Sequence, residues 1–576
     1  MTILNMNTSK QTGGNTGLNL VKGVLCGLCA SALLQASSFA GANHEEDDAF
    51  WADAASLLPG YTGTPSEPGP SSQAGSWGGV IAWPHIPVSA ANLPNGKIIT
   101  YSGQERTSWP GTKTQTYWTV YDPATGRFDE DLYLDHEMFC AHLVMRTDGV
   151  IQTVGGRYTI EHSSVYDWRT NQWSRADDMN DKRWYTTSVA LPDGDVFTVS
   201  GSGGPNTAER YDHNADTWNR LSGINWQPVA GAAGFESNWW PYVFVAPDGR
   251  LFHFGPTEAM HWVSPDGAGS RVSANLNVPG NHYPKHAGVV MYESGKFLVA
   301  GGAVNVNGSG NNTGDGGTSS ACYVVDLNTT PPTVRLTNSM AFPRRFQNAI
   351  VLPTGEVMIV GGNTSGRKFS DLGTVLTPEI WNPKTEQWRQ VADMATPRNY
   401  HSVGLLLPDG RVFAGGSGYD AGSANHQNAE IYTPPALYTT SGALATRPTI
   451  SAAPDSVALG SVFKVSATPG LHKFSMIRMS ATTHGLSTDQ RHLSIPFSET
   501  SSGQYQLVTH PNVNVMVPGY WMLFGLNANG VYSKAATIHI KEVGDAPISG
   551  LNGSYYDGMA FNSLKATRTD HKIDFN

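Results

Sequence analysis

Residues Leu405-Leu406-Leu407-Pro408-Asp409-Gly410-Arg411-Val412-Phe413-Ala414-Gly415-Gly416 read as an apolar strand, a tight turn and a second strand ending in a diglycine. Asp409-Gly410 supplies the positive φ that a two-residue hairpin needs. The phrase recurs. Leu93-Pro94-Asn95-Gly96, Leu191-Pro192-Asp193-Gly194 and Leu352-Pro353-Thr354-Gly355 are close copies. Arg146-Thr147-Asp148-Gly149, Ala246-Pro247-Asp248-Gly249 and Tyr292-Glu293-Ser294-Gly295 are looser ones. Diglycines follow at Gly155-Gly156, Gly301-Gly302 and Gly361-Gly362, and spaced aromatics such as Trp168…Trp173 and Trp381…Trp388 come further on. A repeat of roughly 45–60 residues with a diglycine and paired aromatics marks kelch-type blades. The copies predict an all-β fold whose residues 78–445 form a seven-bladed kelch-type β-propeller.

Composition agrees. A chain of 576 residues exceeds one hydrophobic core. With 63 Gly, 35 Pro, 16 Trp and only 15% charged residues it is no helical bundle or coiled coil, and its aromatic content argues against disorder. A net charge of −10 gives no reason to expect nucleic acid or an anionic membrane as partner. Past Arg447 the diglycines stop, and alternating stretches at 461–467, 474–481, 492–497, 505–509, 520–526 and 535–540 predict an immunoglobulin-like β-sandwich over 446–542. At the start, Lys10 and Lys22 precede an apolar run ending near Leu34, which reads as a signal peptide over 1–42 and predicts a secreted or periplasmic protein. No stretch is long and apolar enough for a transmembrane segment. Residues 43–77 read as a lead-in and 543–576 as a polar tail. A closed propeller leaves no edge that demands a partner, so a monomer is expected.

Cys26 and Cys29 leave with the signal peptide, which leaves Cys140 and Cys322. In an exported protein these either pair as a disulfide or one is reserved for chemistry. Counting back eight positions from each turn's first residue reaches Pro87, Cys140, Tyr185, Trp240, His286, Phe346 and His401. If the copies are equivalent, these side chains share one height around the propeller axis, with Tyr400 beside His401. That ring is more reactive than packing requires.

Phe139-Cys140, Arg183-Trp184-Tyr185, Arg398-Asn399-Tyr400-His401-Ser402, Thr483-His484…Thr488-Asp489-Gln490-Arg491 and Pro518-Gly519-Tyr520-Trp521 resemble the corresponding stretches of the copper radical oxidases, the galactose oxidase and glyoxal oxidase family. The resemblance spans propeller and sandwich. It implies one copper ion ligated by Tyr185 (equatorial), Tyr400 (axial), His401 and His484, and a thioether joining Cys140 to Tyr185 as the radical cofactor. Two imidazoles and two phenols are a donor set that Cu(II) favours. Oxidising a primary alcohol or small aldehyde removes two electrons where copper takes one, and a sulfur-substituted tyrosine supplies the second centre. Tyr400 would be the base and Tyr185 the hydrogen-atom acceptor, with O2 leaving as hydrogen peroxide.

Departures from the pattern bound what is inherited. In galactose oxidase a tryptophan stacks on the thioether from a Gly-rich turn, whereas here Ser200-Gly201-Ser202-Gly203-Gly204 has no aromatic, so Trp184 or Trp240 is left to shield the radical. Phe369 aligns with a substrate-pocket phenylalanine, while the arginine that helps hold the sugar has no counterpart. The lead-in leaves no room for a carbohydrate-binding domain. Radical chemistry is thus better supported than galactose as substrate, and Arg183-Trp184-Tyr185 leans toward glyoxal oxidases. His136, His142 and His286 read as structural or supporting, and Cys322 as a plain buried thiol. The competing reading is a non-catalytic kelch binding module.

Overall fold

The computed structural model describes residues 70–570 apart from 203–206, 227–238, 281, 305–316, 421, 423, 542–550 and 557–563. The expected signal peptide and residues 43–69 of the lead-in lie outside the described residues.

Among these, seven antiparallel sheets are led by the inner strands Ser89–Asn92, His142–Met145, Thr187–Ala190, Val243–Val245, Gly288–Glu293, Asn348–Val351 and Val403–Leu406. Each inner strand pairs with the strand after its turn, as Leu406 does with Val412. The turn glycines adopt the conformation the repeat requires, with φ of 94° at Gly194 and 80° at Gly410. The propeller predicted from the repeat is present, blade for blade.

Its closure was not foreseen. Ser76–Trp77 pairs with Tyr432 and Thr433 as the outer strand of the seventh blade, and Ile81–Ala82 pairs with Asn428 and Ala429. The end of the expected lead-in is therefore blade. Two residues are too few to show alternation, and what holds them is tertiary: Trp77 Nε1 donates to Ala392 O at 2.7 Å and its ring meets Tyr432 at 5.0 Å. Beyond the sandwich, Leu551–Tyr556 pairs with Leu564–Asp570 as a hairpin, where the sequence read only as a polar tail.

The sandwich packs Val462–Ala467 and Gln504–Val508 in one sheet over Lys473–Arg478, Gly519–Leu526 and Ala536–Lys541 in the other. The stretch expected as one strand over 474–481 is broken. Its continuation, Ala481–Thr483, leaves the sandwich and pairs with Ser89–Ala91, the inner strand of the first blade.

This excursion has a physical cause. Inner strands present their free backbone edges to the channel, and buried polar groups need partners. The inserted segment provides them: Asp489 Oδ2 accepts from Met145 N at 2.8 Å, Thr488 Oγ1 donates to Ser188 O at 2.9 Å, and Gln490 Oε1 accepts from Val351 N. Three blades are tied to one plug.

Cys140 and Cys322 are both buried and unbridged, which removes the disulfide alternative. Cys322 opens the strand Cys322–Asp326, and burial pushes its thiol up to about 12. No helix among the described residues is long and apolar enough to cross a membrane.

Candidate active site

The ring counted from the sequence has a backbone signature. Cys140, Tyr185, Trp240, His286, Phe346 and His401 have φ of 60°, 67°, 53°, 58°, 68° and 69°. Pro87, the seventh position, is barred from that region by its ring. A left-handed conformation costs a non-glycine residue about 1–2 kcal/mol, and such outliers gather where function over-determines them. Neighbouring blades join here, with Trp240 N donating to Tyr185 O at 3.2 Å and Phe346 N to His286 O at 3.0 Å.

Three buried ion pairs fix the segments just ahead of ring positions. Arg183 meets Glu209 at 3.1 Å, Arg344 meets Glu379 at 2.6 Å and Arg398 meets Glu430 at 3.1 Å. The same guanidiniums donate to Ser200 O, Gly361 O and Gly416 O. Arg183 of the Arg-Trp-Tyr motif therefore lies inside its blade, holding Trp184 and Tyr185 in place.

His484 comes from the plug. Thr483-His484-Gly485-Leu486 closes with Thr483 N to Leu486 O at 3.1 Å and Leu486 N to Thr483 O at 2.9 Å. His484 and Gly485 have φ of 52° and 75°, the positive pair of a type I′ turn. The turn tip thus carries the histidine up the channel to the ring.

Two imidazole nitrogens and one sulfur converge there. Cys140 Sγ lies 3.4 Å from His484 Nε2 and 3.7 Å from His401 Nε2. The other nitrogens are engaged, His484 Nδ1 with Thr483 Oγ1 at 2.7 Å and His401 Nδ1 with Gly418 O. A carbonyl only accepts, so His401 carries its proton on Nδ1 and its Nε2 lone pair faces the cluster. Burial holds the His401 pKa down to about 3 and that of His484 well below the ordinary value, so both rings stay neutral and able to ligate. Burial also pushes the Cys140 thiol well up, against a hydrogen bond from Tyr185. The Tyr400 ring lies 4.0 Å from His401 and 5.3 Å from His484, and Tyr185 is 6.1 Å from His484. Two neutral imidazoles with converging lone pairs, flanked by two phenols, fit a cupric ion.

The aromatic shell differs from expectation. Trp184 stacks on Tyr185 at 4.4 Å and 21°. Trp239, which the sequence reading passed over, stacks on it at 4.0 Å and 28°. Two rings so close and so nearly parallel cannot share a face, so the tryptophans sandwich the phenol. Trp240 meets Tyr185 edge-on at 77° and lies instead along His484 at 4.3 Å and 27°. The signal for Trp239 was its position: it precedes Trp240 as Trp184 precedes Tyr185. Phe369, half-buried, lies 5.2 Å from Tyr400 and 5.4 Å from His401. Lys368, also missed, is buried with Nζ 5.0 Å from the Trp239 centroid and 5.1 Å from that of Tyr400. His286 sits on the ring as an acceptor for Arg345 Nη2 at 2.7 Å. His136 bridges Ser164 Oγ and Gly155 O within its blade, and His142 Nδ1 accepts from Ser188 N at 3.2 Å.

Comparison with known proteins points the same way. The pattern of the family described as "Glyoxal oxidase N-terminus" matches residues 85–433, and that of "Galactose oxidase-like, Early set domain" matches 447–540. A galactose oxidase of Gibberella zeae is 33% identical over 489 residues, 81% of this chain and 71% of that protein. "Aldehyde oxidase GLOX" of Vitis pseudoreticulata is 27% identical over 390 residues, 62% of this chain and 72% of its own. The solved structure of a fungal alcohol oxidase in complex with copper superposes with a TM-score of 0.76 at 28% identity, covering 81% of this chain and 100% of that one.

Proposed function

The chain belongs to the copper radical oxidase family of glyoxal and galactose oxidases, and from that membership we propose how its residues divide the work. Copper, when bound, accepts one of the two electrons that the substrate gives up and later returns it to O2. Tyr185, Tyr400, His401 and His484 hold the ion, and a Cys140–Tyr185 thioether carries the other electron's vacancy. The substrate is a primary alcohol or small aldehyde. Overall, RCH2OH and O2 become RCHO and H2O2.

Tyr400 takes the hydroxyl proton as general base. The oxidised Tyr185 ring takes a hydrogen atom from the adjoining carbon. Trp184 and Trp239 cover both faces of that ring and keep water from it. Thr483 Oγ1 and Gly418 O hold the Nδ1 protons, so neither imidazole rotates its lone pair away. Phe369 and the partly exposed Trp184 offer apolar walls to the carbon side of the substrate. Export through the N-terminal apolar run suits a chemistry that releases peroxide.

The observation that carries this reading is the convergence of Cys140 Sγ on both Nε2 atoms beside the sandwiched Tyr185. The same three atoms admit a second reading, a thiolate–bis-imidazole electron-transfer centre. Loading the protein with Cu(II) in air separates the two. The oxidase reading expects a Cys140–Tyr185 peptide lighter by two hydrogens, with peroxide formed from an alcohol or aldehyde panel, both lost in Cys140→Ser. A copper-loaded wild type with intact, separable Cys140 and Tyr185 peptides and no peroxide refutes it.

A further inference from the structure

We propose that Lys368 is a positioning residue for the radical, confining the oxidised state to Tyr185 by placing a positive charge over the two neighbouring rings that could drain it. The inference rests on the radical reading above and concerns how the radical is kept in place.

Stacking a tryptophan on a radical is a hazard as well as a shield. Indoles and phenols lose an electron with similar ease, and Trp239 lies 4.0 Å from Tyr185 in a stacked arrangement. At van der Waals contact, distance offers no barrier to exchange, so the relative energy of the two oxidised rings decides where the vacancy rests. In the leak, one electron passes from the Trp239 indole to the oxidised Tyr185 ring. The Tyr185 ring returns to a tyrosinate, the form that would hold copper, and the vacancy rests on the indole as a radical cation, which sheds its N–H proton only afterwards. Tyr400, 5.3 Å from His484 in the same cluster, is the other ring that could give up an electron and take over the vacancy.

Lys368 covers both. Its Nζ stands 5.0 Å from the Trp239 centroid and 5.1 Å from that of Tyr400. While these rings are reduced, the indole face and the Tyr400 phenolate both attract the ammonium. Once the phenolate loses an electron that attraction is lost, and at the indole it becomes repulsion, with burial leaving little solvent to screen either change. One contact therefore stabilises the reduced indole and opposes its oxidation. The loop that presents the lysine is tightly closed: Asn363 Nδ2 donates to Arg367 O at 2.9 Å, and Gly366 N donates to Asn363 Oδ1 at 2.8 Å. Phe369 follows with a φ of 52°, a constraint that aims the segment.

The test uses copper-loaded enzyme oxidised with ferricyanide, which takes one electron from the crosslinked ring. The readouts are the decay of the radical's optical absorption without substrate and peptide mass spectrometry of Trp239. Lys368→Met and Lys368→Gln are expected to shorten the half-life at least about tenfold and to yield oxygenated Trp239. Lys368→Arg keeps the wild-type half-life. The double variant Lys368→Met/Trp239→Phe recovers most of it, because phenylalanine stacks without accepting the vacancy. A neutral variant that decays like wild type overturns the proposal, as does fast decay that Trp239→Phe fails to rescue. The crosslinked peptide should form in every variant. Its absence from wild type refutes the oxidase reading itself, an outcome distinct from the other two.

Discussion

Thr483 is the most informative residue to change outside the proposed ligand set. Its hydroxyl donates to Val88 O at 3.2 Å and accepts from Ser89 Oγ at 3.0 Å, leaving one lone pair for His484 Nδ1 at 2.7 Å. Because the hydroxyl's hydrogen is engaged with Val88, the histidine must be the donor, and its Nε2 lone pair is directed toward Cys140 and His401. Thr483→Val keeps the shape and removes that acceptor. The buried Nδ1–H is then unsatisfied, or the proton moves to Nε2 and blocks ligation. Removing such a partner typically weakens metal binding about 10–100-fold, which is about 1.4–2.7 kcal/mol. The assay is competition for Cu(II) against a chelator of known affinity near neutral pH, with a urea titration alongside. Thr483→Ser restores the acceptor and should bind within about threefold of wild type. If the valine variant binds copper as tightly as the parent, the tautomer argument is wrong and His484 is oriented by its Trp240 stack alone.

Two further outcomes follow from the same geometry. Gly485→Ala would place a Cβ 2.5 Å from Gln347 O at a φ of +75°, so it should lose at least about 1–2 kcal/mol in denaturant unfolding and most of its copper binding. Lowering the pH should destabilise the copper-free chain: burial holds His85, His142 and His492 at about 3 against an ordinary 6.5. The unfolded chain takes up these protons as pH falls through the ordinary value while the folded chain refuses them until about 3, so stability is complete above 6.5 and is lost between the two. Unfolding midpoints at about pH 7, 5.5 and 4.5 should fall in that order, and a flat profile would contradict the burial of these rings.

What the sequence made legible was whatever a turn enforces. Asp409-Gly410 and its copies needed a positive φ, so they could be aligned, and the alignment reached the ring. The six left-handed residues were not anticipated, yet they lie where the count placed them. Features set by partners distant in the chain were harder to read. Arg183 read only as part of the family-like stretch Arg183-Trp184-Tyr185, but its partner Glu209 begins a Glu-x-aromatic phrase, repeated as Glu379-Ile380-Trp381 and Glu430-Ile431-Tyr432, that marks the acceptor of a buried ion pair. That phrase was visible and went unused. Lys368 lies in an irregular loop outside any repeat register, and only the packed structure brings its amine over Trp239 and Tyr400.

The division of the centre between two domains has a consequence for how it forms. In the proposed centre the ring supplies Cys140, Tyr185 and His401, each at a positive φ, with Tyr400 beside the last, while the ring's other imidazole, His286, accepts from Arg345 and the second ligand imidazole comes from elsewhere. That imidazole arrives on a turn whose continuation satisfies the exposed strand edges of three blades. The hydrogen bonds that seat the plug and the contacts that seat His484 therefore form together. A metal ion bound by His401 and His484 would join the seventh blade to the plug, so its binding free energy would add to the stability of their docking. Weakening either side, through Gly485 in the turn or Thr483 behind the ring, should then cost copper affinity and thermal stability in parallel.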